Sequence, residues 1–460
     1  MATRAHIIII GGGFTGAALA IQLAQGEVDV TVIEPRAAPG YGVAYSTEEP
    51  AHRINVPADK MQLAGEPQGD FDRWFRSGGG LETDPQALWR DGKAYPQRGA
   101  FGRYVEQRFH QAARSGRARL RHLRDRAVSL QPDAQGATVT TAGGERLWGD
   151  YAVLAVSHPP PSPPRQIAAG LAQSARLIAN PWVADALEQV AADEPLAIVG
   201  TGLTMADVVA ALQRRGHRGQ IVAFSRHGLL PRPNAEGDYP AWPIAPAAPK
   251  LGHWLRRVRL DVARAAVQQV PWQAVLDDVR ANGQRLWQAF SPVEQRRFLR
   301  HLRAYWDVHR YRIAPQVSTL LEEKRAAGSL QVLAARLQRA ELESQGVRLD
   351  LALRGGGAET LRVQRLVVTT GPAHAGLLAS GPLLSGLAEQ GALRADPLGL
   401  GLLVNADSQA IDRHDRANPR LLVAGPAARG RFGELMGLPQ VAEHAQSVAQ
   451  YLLARCPAAN

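Results

Sequence analysis

An uninterrupted run of four isoleucines, Ile7 to Ile10, opens the regular pattern of the chain. A continuous β-branched run of this length is typical of a strand in a parallel sheet whose two faces are both covered by helices. Shorter apolar runs recur at 28–33, 196–199 and 220–224, and helical patterns stand between them. This alternation predicts an α/β fold built on parallel sheets.

The first run leads into a glycine-rich turn, a helix, a second strand and an acid. Residues 11–16 read GGGFTG, a helical pattern follows at 17–23, and the strand from Val28 to Ile33 ends at Glu34. This order is the fingerprint of a dinucleotide-binding unit. The glycines allow a tight turn and a close approach of a pyrophosphate, the helix N-terminus attracts the phosphates, and Glu34 can accept hydrogen bonds from a ribose diol.

A second unit of the same kind begins at Leu196. Its glycine turn, GTGLTMA, occupies 200–206, and its next strand, 220–224, ends in Ser225 and Arg226. An acid at that place would bond a free 2′-hydroxyl, whereas a serine and an arginine suit a 2′-phosphate. The second unit is therefore predicted to prefer NADPH to NADH. The alternative is that Arg226 is a solvated residue at a strand end.

The order of elements predicts two Rossmann-like dinucleotide-binding domains with a helical insertion in the second. A buried strand from Tyr151 runs into prolines at 159–161, where the chain leaves the first domain, and a similar run from Arg365 marks the return. The predicted boundaries are 1–165 and 365–460 for the discontinuous first domain, 166–249 and 329–364 for the second domain, and 250–328 for the insertion.

The insertion carries a candidate substrate site. Ser291 to Glu294 form a capping box, and the helical pattern that follows contains four candidates close together: Trp306, His309, Arg310 and Arg312. An aromatic wall beside guanidinium groups suits a substrate with a carboxylate, which arginine can hold by two parallel hydrogen bonds. The alternative is that Arg310 and Arg312 pair with Asp307 or Glu322 and hold the insertion together.

Composition narrows the function classes. Basic residues exceed acidic ones by 53 to 42, but the arginines are scattered, so nucleic-acid binding is not expected. The single cysteine, Cys456, excludes a disulfide framework, a cysteine metal cluster and a redox-active cysteine pair. No apolar run reaches the roughly 18 residues of a membrane-spanning helix. We expect a cytoplasmic protein with no metal or membrane partner, whose redox chemistry comes from a bound cofactor.

With these motifs the chain resembles the two-dinucleotide-binding-domain flavoproteins, in particular the bacterial FAD/NAD(P)-binding oxidoreductases related to flavin monooxygenases and amine N-hydroxylases. The segments that carry the resemblance are 11–16 with Glu34, PGYGVAY at 39–45, INVPA at 54–58 with Met61, GTGLTMAD at 200–207, SRHGLLP at 225–231 and YWDVHR at 305–310. The resemblance spans nearly the whole chain. It implies FAD in the first domain and NADPH in the second.

The resemblance also implies the binding residues. Those expected for FAD are Gly11, Gly13, Phe14, Thr15, Gly16, Glu34, Asn55, Val128 and Gly425, and those expected for NADPH are Gly200, Gly202, Thr204, Ser225 and Arg226. Asn55, Pro57 and Met61 are expected beside the flavin ring, and no side chain is assigned a catalytic role. One departure stands out: a Trp-Glu pair is expected in the C-terminal turn, but Phe432 and Gly433 precede Glu434.

The function that follows from the resemblance is an NADPH-dependent FAD monooxygenase. NADPH would reduce the flavin, O2 would add at C4a to give a (hydro)peroxyflavin, and an amine or other soft group of a small molecule would take one oxygen atom. One alternative is an FAD-dependent NAD(P)H dehydrogenase or reductase that inserts no oxygen. Another, outside enzymes, is a redox-sensing module that binds FAD and NADPH.

Overall fold

The computed structural model describes residues 4–156, 158–244 and 250–456, which form three β-sheets with helices packed around them. The strands, in chain order, are β1 (His6–Ile10), β2 (Asp29–Ile33), β3 (Arg119–Leu123), β4 (Ala127–Pro132), β5 (Ala137–Thr141), β6 (Arg146–Gly149), β7 (Tyr151–Leu154), β8 (Leu177–Ile178), β9 (Leu196–Val199), β10 (Ile221–Ser225), β11 (Leu330–Glu343), β12 (Gly346–Leu353), β13 (Ala358–Val363), β14 (Arg365–Val368), β15 (Gln409–Ile411) and β16 (Ala417–Val423).

The α-helices lie between these strands and in one long insertion. In chain order they are α1 (Phe14–Leu23), α2 (Gly42–Tyr45), α3 (Asp70–Ser77), α4 (Gly80–Thr83), α5 (Arg98–Ser115), α6 (Ala169–Ala172), α7 (Leu203–Arg214), α8 (Leu251–Val267), α9 (Trp272–Ala281), α10 (Gly283–Ala289), α11 (Pro292–His301), α12 (Arg303–Arg310), α13 (Pro315–Ala326), α14 (Pro382–Glu389), α15 (Arg429–Phe432) and α16 (Leu438–Leu453).

The first sheet has six strands in the order β15-β16-β7-β1-β2-β3. β1 is central and pairs in parallel with β2 and β7, and α1 packs with α16 and α5. Ile7, Ile8 and Ile9 are fully buried. Ile7 and Ile9 pack against helices on one face of the sheet, and Ile8 packs on the other face, which the small sheet β4-β5-β6 helps to cover. The predicted α/β fold is confirmed. β16, from the C-terminal part of the chain, pairs with β7 in this sheet, as expected for a discontinuous first domain.

The second sheet has seven strands in the order β13-β12-β11-β10-β9-β14-β8. It corrects one predicted boundary. The strand β14 pairs in parallel with β9 and β8, so residues 365–368 belong to the second domain and not to the first, as the boundary at 365 had placed them. An apolar run indicates a buried strand but not the sheet that it joins, so the pattern could not place this one.

The C-terminal boundary of the insertion also differs from the predicted one at residue 328. Parallel strands need a crossover connection, usually a helix, and β10 and β11 are parallel. The helix between them is α13, which packs against α7 and β11. It is therefore the crossover helix of the second domain, although the predicted insertion of 250–328 included it. The inserted helices are α8 to α12.

The predicted capping box is half formed. The Ser291 hydroxyl accepts a hydrogen bond from the Glu294 backbone N–H at 3.4 Å, and Pro292 is the first helical residue of α11. The Glu294 carboxylate does not return to Ser291. It accepts the backbone N–H of Leu251 at 3.0 Å, at the start of α8, and so ties two inserted helices together.

The two connections between the domains run side by side. Pro161 on the outgoing segment forms an isolated β-bridge with Pro372 on the returning one, and the rings of His158 and His374 are 5.2 Å apart. A buried ion pair, Arg98 to Asp207 at 2.9 Å, joins α5 to α7 across the domains.

Within the described part of the chain no helix is both long and apolar enough to cross a bilayer.

The central position of β1 predicts a large cost for shortening its side chains. Replacing Ile9, which is fully buried, with alanine should lower the free energy of unfolding by about 2–5 kcal/mol, through lost burial and a cavity. Val183, 59% exposed, provides the control, and its alanine variant should stay within about 0.5 kcal/mol of the parent. Urea unfolding followed by circular dichroism measures both. Equal effects at the two positions would contradict the assigned core.

Candidate cofactor and substrate sites

The first glycine turn is held by close backbone contacts. Gly11 has φ +102°, a conformation that favours glycine, and a Cβ there would overlap the Ala155 carbonyl. Gly16 packs directly against the Gly11 carbonyl, so α1 lies close to β1. Gly13 is the N-cap of α1 and no side chain caps the helix, so its first-turn amides are free for an anion.

Glu34 is 3% exposed and lies under this turn. Its Oε2 accepts the Gly12 N–H at 2.9 Å, and its Oε1 accepts the backbone and side-chain nitrogens of Arg36 at 3.0 and 2.9 Å. A carboxylate has about four acceptor positions. Glu34 therefore keeps one on Oε2, which a ribose hydroxyl can occupy.

Gly425 brings the last strand of the sheet to the same turn. With φ +77°, its Cα lies against Thr15, so that a Cβ would be 2.6 Å from the Thr15 hydroxyl. The Gly425 N–H donates to His444 Nδ1 at 3.0 Å, and His444 Nε2 is 2.9 Å from the Ser408 hydroxyl. Burial lowers the pKa of His444 to about 4, so the ring is neutral and Nε2 donates. Sequence reasoning missed this histidine.

A cavity of about 380 Å³ lies beside the first domain; we call it the flavin-side cavity. Asn55, Pro57 and Met61, predicted to lie beside the flavin ring, all line it. Gly437 and Leu438, where α16 begins, form another wall. Val128, expected near the adenine, is half-buried on β4 and lies in neither of the two cavities described here. Phe14 packs against Phe101 at the start of α1.

The residues of the first domain fit FAD. The turn offers uncapped helix amides and a Gly13 without a side chain for the pyrophosphate, and Glu34 offers a free acceptor position for the ribose. Gly425 packs against Thr15 at the N-terminal end of α1, and Tyr45, which packs against Phe14 at the same end, lines the flavin-side cavity. Among the described residues there is no group of three or more metal-ligating side chains.

The second glycine turn opens on a larger cavity of about 840 Å³, the nucleotide cavity. All five residues predicted to bind NADPH line it: Gly200, Gly202, Thr204, Ser225 and Arg226. Gly200 has φ +113° and packs against Thr369, and α7 begins at Gly202 with no side-chain cap. This geometry offers the same phosphate-binding helix end as the first domain, so the residues fit a second dinucleotide.

Arg226 is not alone at the end of its strand. Arg336, on the neighbouring strand β11, also lines the nucleotide cavity. Burial, together with the positive charges of Arg354, Arg226 and Arg336, lowers the pKa of His227 in this region. Two guanidinium groups beside Ser225 suit a 2′-phosphate. Sequence reasoning missed Arg336, because more than a hundred residues separate it from Arg226 and strand pairing alone brings them together.

The end of the nucleotide cavity nearest the insertion carries charge. Asp307 lines it with Arg303, 3.5 Å away, and burial raises the pKa of the Asp307 carboxyl. Arg429 lines the same end, and its Nε is buried without a hydrogen-bond partner in the described structure. Tyr311 and Met436 line both this cavity and the flavin-side cavity, so the two cavities meet at these side chains.

Two of the four substrate candidates converge on Glu434. Arg310 Nε donates to Glu434 Oε1 at 2.6 Å, and Trp306 Nε1 donates to Oε2 at 3.3 Å. Arg310 also lines the flavin-side cavity, whereas Trp306 does not. The C-terminal turn of the first domain is thus bonded to the inserted helix α12.

The other two candidates separate. Arg312 lines the flavin-side cavity and pairs with Asp277 at 2.8 Å. His309 turns to Trp272, with ring centres 5.1 Å apart, and lines neither cavity. The alternative pairing of the two arginines with Asp307 or Glu322 is wrong. The partner of Arg310, Glu434, lies in the turn between α15 and α16, and the partner of Arg312, Asp277, lies on α9. Closeness in sequence did not reveal either pairing.

The indole that the C-terminal turn lacks is supplied from the insertion. Gly433 has φ +72°, and a Cβ there would be 2.5 Å from Trp287 Cγ. The Trp287 indole packs on this glycine and donates Nε1–H to the Gly430 carbonyl at 2.9 Å. A tryptophan from α10 therefore covers the turn, and Gly433 leaves the room for it.

Comparison with known proteins agrees with this geometry. Residues 8–159 match the model of a family described as FAD-NAD(P)-binding. The match spans most of the first part of the first domain and confirms the resemblance to FAD/NAD(P)-binding oxidoreductases. No curated protein sequence matches the chain.

Three solved structures have the same fold over almost their full length. They are the reduced ornithine hydroxylase of Pseudomonas aeruginosa (TM-score 0.63, 16% identity, 98% of this chain and 99% of that one), the cadaverine monooxygenase of Erwinia amylovora bound to FAD (0.63, 15%, 100% and 97%) and the ornithine N-hydroxylase of Kutzneria sp. 744 with reduced FAD, NADP+ and L-ornithine (0.61, 14%, 98% and 99%). The chain therefore has the two-dinucleotide-binding-domain flavoprotein fold. The predicted class, a flavin-dependent oxidoreductase, and the predicted cofactors agree with these findings.

Gly13 tests the FAD assignment. A Cβ at Gly13 would lie 3.3 Å from the Gly42 Cα, so Gly13→Val crowds the place where the pyrophosphate approaches the backbone. Strain of about 1–3 kcal/mol should weaken FAD binding roughly five- to hundredfold. The FAD-to-protein ratio after dialysis measures it. Gly252→Val, where no atom lies within 4 Å of the added Cβ, is the control. A folded Gly13→Val protein with full FAD content contradicts the assignment.

Arg226 and Arg336 test the preference for NADPH. Loss of a charge-assisted hydrogen bond to the 2′-phosphate costs roughly 1.5–3 kcal/mol, so Arg226→Ala and Arg336→Ala should each weaken NADPH binding about ten- to hundredfold. NADH lacks that phosphate and is the internal control. Anaerobic flavin reduction at increasing coenzyme concentration gives both affinities. Equal losses for NADPH and NADH would assign these arginines a role in folding instead.

Proposed function

We propose that the protein is an NADPH-dependent FAD monooxygenase that transfers one oxygen atom from O2 to a small molecule. The observation that carries the proposal is the pair of adjoining cavities. The nucleotide cavity and the flavin-side cavity meet at Tyr311 and Met436 but are otherwise lined by different residues. A coenzyme and a substrate can therefore reach the flavin from separate sides.

The chain supplies binding and orientation, and bound FAD would supply the chemistry of hydride acceptance from NADPH and of oxygen activation. The turn at Gly200 and the N-terminus of α7 would hold the coenzyme diphosphate, and Arg226 and Arg336 would hold its 2′-phosphate. Tyr311 and Met436 line the part of the same cavity that adjoins the flavin-side cavity.

The flavin-side cavity would hold the substrate. Asn55, Pro57 and Met61 form its wall on the first domain, and inserted residues Arg310 and Arg312 close the opposite side. Covering the flavin in this way excludes water from the reacting groups. Amine N-hydroxylation is the finer form of the proposal, and the likeness to ornithine and cadaverine hydroxylating enzymes supports it.

Oxygen dependence tests the proposal against its alternatives. NADPH should reduce the bound flavin without oxygen, and air should reoxidise it within the time of one turnover. Without substrate, NADPH loss in air should equal the peroxide formed. The measurements are stopped-flow flavin absorbance, oxygen uptake and peroxide yield.

Two results contradict the proposal. A reduced flavin that persists in air, with NADPH turnover only when a quinone is added, would identify a dehydrogenase or reductase. A flavin that NADPH does not reduce at all would favour the redox-sensing module.

A further inference from the structure

At one end of the flavin-side cavity, two guanidinium groups lie against the same glycine. Arg280 on α9 and Arg310 on α12 both line the cavity and reach Gly437, the N-cap of α16. A Cβ on Gly437 would lie 3.0 Å from Arg280 Nη2 and would overlap the Arg310 guanidinium. Two like charges and a helix N-terminus, which is itself positive, therefore meet at one point.

The two arginines have fewer partners than their charge requires. Arg310 is 7% exposed; its Nε bonds Glu434, but its Nη2 is buried with no hydrogen-bond partner in the described structure. Arg280 donates from Nε to the neutral Gln440 at 3.2 Å, and no described carboxylate lies within ion-pair distance of it. Burial and the charge of Arg310 lower the pKa of Arg280 to about 10, so it stays charged at neutral pH.

Glu434 pairs with Arg310, and the remaining charged groups of the cavity leave a positive excess. Arg312 is neutralised by Asp277 at 2.8 Å. Lys60 adds another positive charge, and Glu443 is the one other acid of the lining; burial raises the pKa of Glu443, and the charge of Arg280 opposes that rise. A buried, unpaired donor is costly unless something bonds it. With four basic groups against three acidic ones, Glu434 included, the cavity keeps a positive excess and a free guanidinium donor among the described residues, which suit an anion.

We propose that Arg280 and Arg310, at the N-terminus of α16, form a subsite that holds a carboxylate of the substrate, so that the substrate carries an anionic group besides the group that is oxidised. The inference rests on the proposed function, because it takes the flavin-side cavity as the substrate site. Arg280 is new to the site. Arg312 is left out of the anion contact because its Nε and Nη2 are already bonded to the carbonyls of His309 and Gln273 and to Asp277, whereas Arg310 keeps an Nη2 that is unpartnered in the described structure.

Three probes with the same five-carbon chain test the charge preference of the FAD-loaded protein: pentanoate, 1-pentanol and pentylamine. Pentanoate should perturb the flavin absorbance in a saturable way, and the neutral and cationic probes should bind at least about tenfold more weakly. Arg280→Gln should weaken pentanoate about tenfold or more, and Arg280→Lys, which keeps the charge but not the fork, by less. Arg285→Gln is the matched control, since Arg285 is exposed on α10 outside the cavity.

Several outcomes overturn the subsite. In the first two, the parent protein does not bind pentanoate, or it binds the three probes with equal affinity. Equal pentanoate affinity in Arg280→Gln and Arg285→Gln is the third such outcome. A changed flavin reduction potential in Arg280→Gln with unchanged pentanoate affinity would assign the charge to the flavin itself. NADPH-driven flavin reduction is measured separately, so a protein that binds pentanoate but does not react with NADPH and O2 retains the subsite and loses the proposed function.

Discussion

A buried ion pair between Arg310 and Glu434 fixes the relation of the inserted helices to the flavin-binding domain. The two side chains are 3% and 9% exposed and are bonded at 2.6 Å. Removing one partner of such a pair typically costs about 3–5 kcal/mol, since the other charge stays buried. The pair holds α12 where it can separate the two cavities. Trp287 reinforces the same contact on Gly433, so the wall of the site is bonded to the C-terminal turn at two places.

The fold could be read from local patterns because its signals are local. The isoleucine run of β1, the glycines after it and Glu34 all lie within one βαβ unit, and each has a backbone task that the structure shows. The sequence did not show which domain two of the predicted elements belong to. Residues 365–368 and α13 have the right element type, but their partners, β9 and α7, lie far away in sequence. The period of apolar residues indicates whether an element is a strand or a helix, but not which distant element it packs against.

The candidate site divides in the same way. The five residues predicted for NADPH share one cavity, because a strand, a turn and a helix N-terminus fix them together. Arg336 and Arg280 were missed, since each joins the site from another strand or helix. The expected indole of the C-terminal turn is a clear example: its position holds Gly433, and Trp287, remote in sequence, fills the space. Motif matching compares positions along a chain, whereas packing requires only that some side chain occupy the volume.

The paired crossing at Pro161 and Pro372 places the entry and exit of the second domain side by side. Its two covalent connections therefore lie at one place and its own two ends almost touch, although ion pairs such as Arg98–Asp207 also hold it to the first domain. Such a segment has the topology of a cassette: a short linker could close the gap it leaves, and an excised copy would need no long connection to bring its termini together. Coenzyme specificity could then change by exchange of one contiguous segment, while the flavin-binding sheet, assembled from both ends of the chain, would stay intact.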